Sequence, residues 1–166
     1  MSPKLRALLL VVGVVLPLDQ VTKYWIATNV SPLDPIRVIP GFFSITHARN
    51  PGAALGLAQD VHVAFFIVLT LVALGLIASF YRKVEASDRL SATSLGLVLA
   101  GALGNLIDRV RLGEVIDFLQ FDLGLFIFPD FNVADSAIVI GVGLLLLDVV
   151  TSEAEESVEK GEEGGP

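Results

Sequence analysis

The sequence predicts an all-α polytopic membrane protein: four transmembrane helices, with a small extracytoplasmic β-element in the first long connection. Composition is the first reason. Of 166 residues, 54% are hydrophobic and only 17% charged, too apolar a balance for a water-soluble chain of this size to cover with polar surface. The second reason is four apolar segments, residues 5–26, 61–81, 90–107 and 133–150, each near the roughly 20 residues that a helix needs to cross a bilayer. The third is how they are joined. Two long connections, 27–60 and 109–132, fall on one side and a short turn, 82–89, on the other.

The first segment follows Lys4 and Arg6 as a secretory leader would, but no small-x-small cleavage site comes after it. The run through Asp19, Lys23, Tyr24 and Trp25 continues the helix to an aromatic interface, which marks an uncleaved span. In the first connection, Pro32, Pro35, Pro40 and Gly41 bracket two β-rich stretches, 36–39 and 42–46, the pattern of a hairpin lying at the membrane surface. The second connection is apolar over 115–128 but interrupted by Gly113, Gly124 and Pro129. It is too short and broken for a fifth span and is expected as an interfacial loop. Lys4, Arg6, Arg82, Lys83 and Arg89 against Arg37, Arg49, Arg109 and Arg111 place both termini in the cytoplasm by a modest margin. No repeat relates the two halves, which argues against a transporter built on internal symmetry.

The net charge of −7 is largely local, because residues 151–166 hold six Glu and one Lys. The expected organisation is therefore a membrane domain, 1–150, and an acidic, disordered cytoplasmic tail, 151–166. The chain has no Cys and two His, His47 and His62. Thiol nucleophiles and disulfides are thereby excluded, and neither His belongs to a ligand cluster. No metal, cofactor or nucleic-acid partner is expected.

Ionisable residues inside a span cost on the order of 2.5 to 3.5 kcal/mol at the bilayer centre, which makes them functional candidates. Asp19 lies late in the first span with Lys23 four residues on, Asp108 and Arg109 close the third, Asp117 follows, and Asp135 opens the fourth. The topology brings all of them to one membrane face. Asp19 with Lys23, and Asp108 beside Arg109, also read as ion pairs of structural character. Asp148 reaches water at the cytoplasmic end, and Asp122 and Asp130 sit in turn-like contexts. Asp117 and Asp135 differ, since apolar sequence surrounds each and neither has an adjacent basic partner. For Asp135 the alternative is helix capping. Two carboxyls brought together in a low dielectric share a proton. Such a pair can hydrolyse a peptide, one carboxylate deprotonating water while its partner hydrogen-bonds the carbonyl.

Five ordered motifs sharpen this reading: Leu18-Asp19-Gln20-Val21-Thr22-Lys23, Arg49-Asn50-Pro51-Gly52-Ala53-Ala54-Leu55-Gly56, Gly101-Ala102-Leu103-Gly104-Asn105-Leu106-Ile107-Asp108-Arg109, Val115-Ile116-Asp117-Phe118 and Phe131-Asn132-Val133-Ala134-Asp135-Ser136. Together they resemble the lipoprotein signal peptidase family, also called signal peptidase II, over all of the chain but the acidic tail. Leu55 departs from the family, which often has Phe there. The resemblance implies an aspartic endopeptidase that removes the signal peptide from diacylglyceryl-modified bacterial prolipoproteins, cutting before the lipidated cysteine. It puts Asp117 and Asp135 on the catalytic dyad. Asp19, Asn50, Gly52, Asn105, Asp108, Arg109, Asn132 and Ala134 fall on substrate-binding or supporting positions. Turn formation for Asn50 and an interhelical hydrogen bond for Asn105 are the structural alternatives.

The resemblance further implies a small surface sheet, a mobile segment over residues 52–60 covering the site, and sensitivity to globomycin. It implies an active site near the outer face of the bacterial cytoplasmic (inner) membrane. Membrane lipids and the prolipoprotein are the expected partners, and a monomer would suffice. Two rival readings remain at this level. A proton-conducting transporter would carry charges in both halves of the bilayer, and a non-enzymatic scaffold would tolerate Asn at both Asp117 and Asp135.

Overall fold

The computed structural model describes residues 1–52 and 63–163, with side chains as far as residue 151. Among the described residues four helices are long and apolar enough to cross a membrane: α1 (Pro3–Asn29), α2 (Val63–Lys83), α3 (Arg89–Leu112) and α4 (Val133–Glu163). Local chemistry sets their ends. Ser2 caps α1, its hydroxyl accepting from the Leu5 N–H with Pro3 at the first position, and Asp88 caps α3 through the Ser91 N–H at 2.9 Å. Gly113, at φ 77, closes α3 in the left-handed conformation and returns its N–H to the Arg109 carbonyl. The backbone of α4 continues to Glu163, into the segment that sequence composition set apart as disordered. Its run of Glu, Ala and Lys consists of good helix formers.

The centre of the bundle is α3. More than half of its apolar stretch is buried, against 6% for α1 and for α2, and both α1 and α4 pack along it. Small residues allow the approach. A Cβ on Gly101 would run into the carbonyl oxygen of Ala134, and one on Gly104 into the Asp19 carboxylate. At the end holding the N-terminus, Lys4 Nζ donates to the Val84 carbonyl at 2.6 Å, joining α1 to the α2–α3 turn.

At the opposite end lies a three-stranded antiparallel sheet, β1 (Ile36–Ile39), β2 (Phe43–Asn50) and β3 (Val115–Phe121), with β2 in the middle. The hairpin of β1 and β2 was legible in sequence. The third strand was not, because residues 115–121 read as an interfacial loop. Their apolar run lacks alternation since this strand is covered on both faces: Val115 to Phe118 are all buried. Ile116 and Phe118 pack with Ile26 and Val30 from the end of α1. Phe121 stacks on Phe43 at 4.8 Å and on Phe131 at 5.9 Å. The chain then folds back on itself, with the Phe118 and Leu119 N–H groups donating to the Phe131 carbonyl at 3.0 and 2.8 Å. Asp130 pins the return, accepting from Thr46 and Gln120, so it does more than make a turn. Asp122 does make one, through the Gly124 N–H.

Candidate active site

That return delivers Asn132 to Asp117. Asn132 is fully buried, and its Nδ2 donates to Asp117 Oδ1 at 2.7 Å. The same residue opens α4. Its Oδ1 accepts from the Asp135 N–H at 3.0 Å, and Asp135 Oδ2 accepts from the Asn132 N–H at 3.2 Å, a reciprocal capping box. The capping alternative for Asp135 is thus realised, but it occupies only one oxygen. Asp135 Oδ1 accepts from Asn105 Nδ2 of α3 at 2.8 Å. One asparagine therefore links both carboxyls, and a second braces the pair from α3.

Asp117 sits on β3 rather than in a loop. Strand alternation turns it away from Ile116 and Phe118, and its cross-strand partner is Ala48. Asn50, diagonally opposite on β2, donates from Nδ2 to Asp117 Oδ2 at 3.0 Å. Its Oδ1 accepts from the Gly52 N–H at 2.9 Å, so the turn reading of Asn50 and its reach to Asp117 hold together. Gly52 has φ 115, and a Cβ there would collide with the Phe66 ring, so a side chain is excluded twice over. The expected covering segment, apart from Gly52, lies outside the described residues.

Burial drives the Asp117 pKa up from 3.8 to about 6. Asp135 pushes the same way, while hydrogen bonds from Asn50 and Asn132 and the charge of Lys23 pull it down. Asp117 is 2% exposed. Asp135 is half-buried and lines an apolar groove with Phe128, Phe131, Val139 and Ile140.

Beneath the pair lies a charged knot. Lys23 Nζ reaches Asp19 at 3.0 Å, Asp108 at 2.9 Å and the Asn105 Oδ1 at 2.9 Å, all essentially buried. The Asp19–Lys23 pair was legible. The link to Asp108 was not, since Asp108 was matched in sequence with its neighbour Arg109. Asp19 Oδ1 also accepts from the Ala134 N–H at 2.9 Å, and Asp108 from the Ile116 N–H. Gln20, which sequence reasoning left without a role, donates to Asp19, Asp108 and the Gly104 carbonyl. A lone Lys among several intramembrane Asp was the available signal, because charges in a bilayer must find partners across helices. The Arg109 guanidinium lies 5.3 Å over the Phe66 ring, and its buried Nε has no partner among the described residues.

Four spans gathered around a bridged pair of carboxyls, one of them reachable from outside, define a membrane-embedded enzyme. Residues 11–151 match the family model described as signal peptidase (SPase) II. The chain is 48% identical to the lipoprotein signal peptidase of Geobacter metallireducens, over 95% of this chain and 98% of that one. It is 45% identical to that of Syntrophus aciditrophicus, over 95% and 100%. A bacterial membrane enzyme solved by the in meso method at 2.3 Å superposes with a TM-score of 0.82 at 38% identity, over 89% of this chain and 90% of the other. The chain belongs to the signal peptidase II family and is a peptidase.

Proposed function

We propose that this chain is an aspartic endopeptidase that removes signal peptides from diacylglyceryl-modified bacterial prolipoproteins, cutting before the lipidated cysteine, with Asp117 and Asp135 as its dyad. The observation that carries the reading is the Asn132 bridge, which holds the two carboxyls in one network. Burial gives Asp117 a reason to keep its proton. Asp135 accepts from Asn105 Nδ2 and the Asn132 N–H and borders the apolar groove, and it serves as the base. Asp135 takes a proton from water as its oxygen attacks the scissile carbonyl, and Asp117 donates a hydrogen bond to the carbonyl oxygen. When the C–N bond breaks, the amine takes the proton that Asp135 holds. Arg109 and Asn50 are suited to hold the substrate backbone. Asp19, Lys23, Asp108 and Asn105 fix the pair from below. The enzyme works as a monomer in the cytoplasmic membrane, both termini inside, with the dyad at the outer face.

Asp117→Asn and Asp135→Asn should each insert and fold yet leave no measurable cleavage of a diacylglyceryl-prolipoprotein, a signal that globomycin should also remove from the wild type. Turnover retained in either purified variant sinks the dyad. Asp108→Asn should reduce activity less completely.

A further inference from the structure

A cavity of about 680 Å³ opens at the end of the bundle opposite the dyad, between the last turn of α2, the start of α3 and α4. Phe80, Leu95, Leu145, Leu146 and Val149 wall it, and Glu85, Asp88 and Asp148 stand at its polar side with a single cation, Lys83. Asp88 caps α3 and Asp148 accepts from the Ser91 hydroxyl at 2.7 Å. Among the described residues no Lys or Arg forms an ion pair with any of the three carboxylates. The cavity and Asp135 lie along one face of α4. Asp135, Val142, Leu146 and Val149 follow one another at i, i+7, i+11 and i+14 along one face of α4. Ser91, Leu95, Ala102 and Arg109 share a face of α3 at i, i+4, i+11 and i+18, and Phe66 and Phe80 share one of α2. At the cavity α3 is the floor between α2 and α4, since α2 packs on α3 and makes no comparable contact with α4.

We infer that this cavity binds the basic N-terminal region of the signal peptide being removed, an inference that rests on the proposed function. A signal peptide carries a positively charged segment followed by an apolar run of roughly 7–15 residues before its cleavage site. As a helix that run spans about 10–22 Å. Asp135 and Asp148 are 13 residues apart on α4, about 20 Å of rise. A peptide lying along α3 between α2 and α4, with its scissile bond at Asp135, therefore brings its Lys or Arg side chains to Asp148, Asp88 and Glu85. The three carboxylates outnumber Lys83 and the neighbouring Lys4, whose ammonium is held on the Val84 carbonyl, and supply the complementary charge.

The test compares two diacylglyceryl-prolipoproteins, one with its N-terminal Lys and Arg intact and one with each changed to Gln. The full-length enzyme is assayed in vesicles with and without phosphatidylethanolamine. The wild type should show a KM about three- to tenfold lower for the basic substrate, at equal kcat. In the Glu85→Gln, Asp148→Asn double variant the two KM values should converge, and Glu85→Lys should favour a substrate with Glu in that region. Equal KM values in the wild type overturn the inference, as does an equal loss on both substrates, which marks a structural role. A KM that follows phosphatidylethanolamine rather than substrate charge overturns it in favour of a lipid occupant. If the wild type cleaves neither substrate, the proposed function falls, and this inference with it.

Discussion

The Asn50→Ser substitution isolates what tunes the carboxyl pair. Asn50 Nδ2 donates to Asp117 Oδ2 at 3.0 Å and so favours the ionised form, opposing the burial that holds Asp117 at about 6. A serine hydroxyl can still accept from the Gly52 N–H and keep the turn, but is too short to replace the amide. A hydrogen bond to a charged group contributes about 1.5–3 kcal/mol, and 1.36 kcal/mol corresponds to one pKa unit. With partial replacement by water, the loss raises Asp117 by about one unit. If the pair must hold one proton to act, kcat/KM in the wild type falls as pH rises through about 6, and in the variant through about 7. The measurement is kcat/KM against pH on purified enzyme, which reports the free enzyme's groups and yields macroscopic values for the pair. The amplitude will also drop if Asn50 touches substrate, but the midpoint is independent of amplitude. An alkaline limb that stays in place or moves down refutes the reasoning.

The same pKa makes a stability prediction. Native Asp117 holds its proton up to about 6 while the unfolded chain releases it near 3.8, so stability falls as pH rises through that window, by up to about 3 kcal/mol. Thermal unfolding in detergent should show this decline for the wild type and a flatter profile for Asp117→Asn; parallel profiles would contradict it. Lys23→Met leaves Asp19 and Asp108 buried without their cation and should lower stability by about 3–5 kcal/mol, seen as a lower Tm or loss of folded protein; an unchanged Tm counts against the knot. Gly101→Ala drives a methyl into the Ala134 carbonyl oxygen, which cannot rotate away, and should cost about 1–3 kcal/mol. Gly75→Ala, with open space around it, is the control and should leave Tm unchanged or slightly higher.

Much of this was written locally. The four spans follow from runs of apolar residues whose length must match the bilayer, and the hairpin of β1 and β2 from Pro and Gly punctuation. The candidate residues declared themselves because a carboxylate in an apolar run is costly unless it has a purpose. Asp19 with Lys23 could be paired, being four residues apart on one helix. Their chemistry could be named from residue type, and the order of five motifs made the family recognisable.

What the sequence could not supply was any contact spanning a long stretch of chain. Residues 115–121 were misread because a strand buried on both faces has no alternation to betray it, and its partners on β2 lie about 65 to 78 residues earlier. Asp108 went to the wrong cation because adjacency in sequence is not adjacency on a helix, where Arg109 turns to Phe66 and Asp108 to Lys23. The link between Asp117 and Asp135 through Asn132 was decided by tertiary structure alone. It depends on the chain from β3 folding back so that Asn132 caps α4 and grips Asp117 at once, a geometry fixed by packing and hydrogen bonds between distant segments.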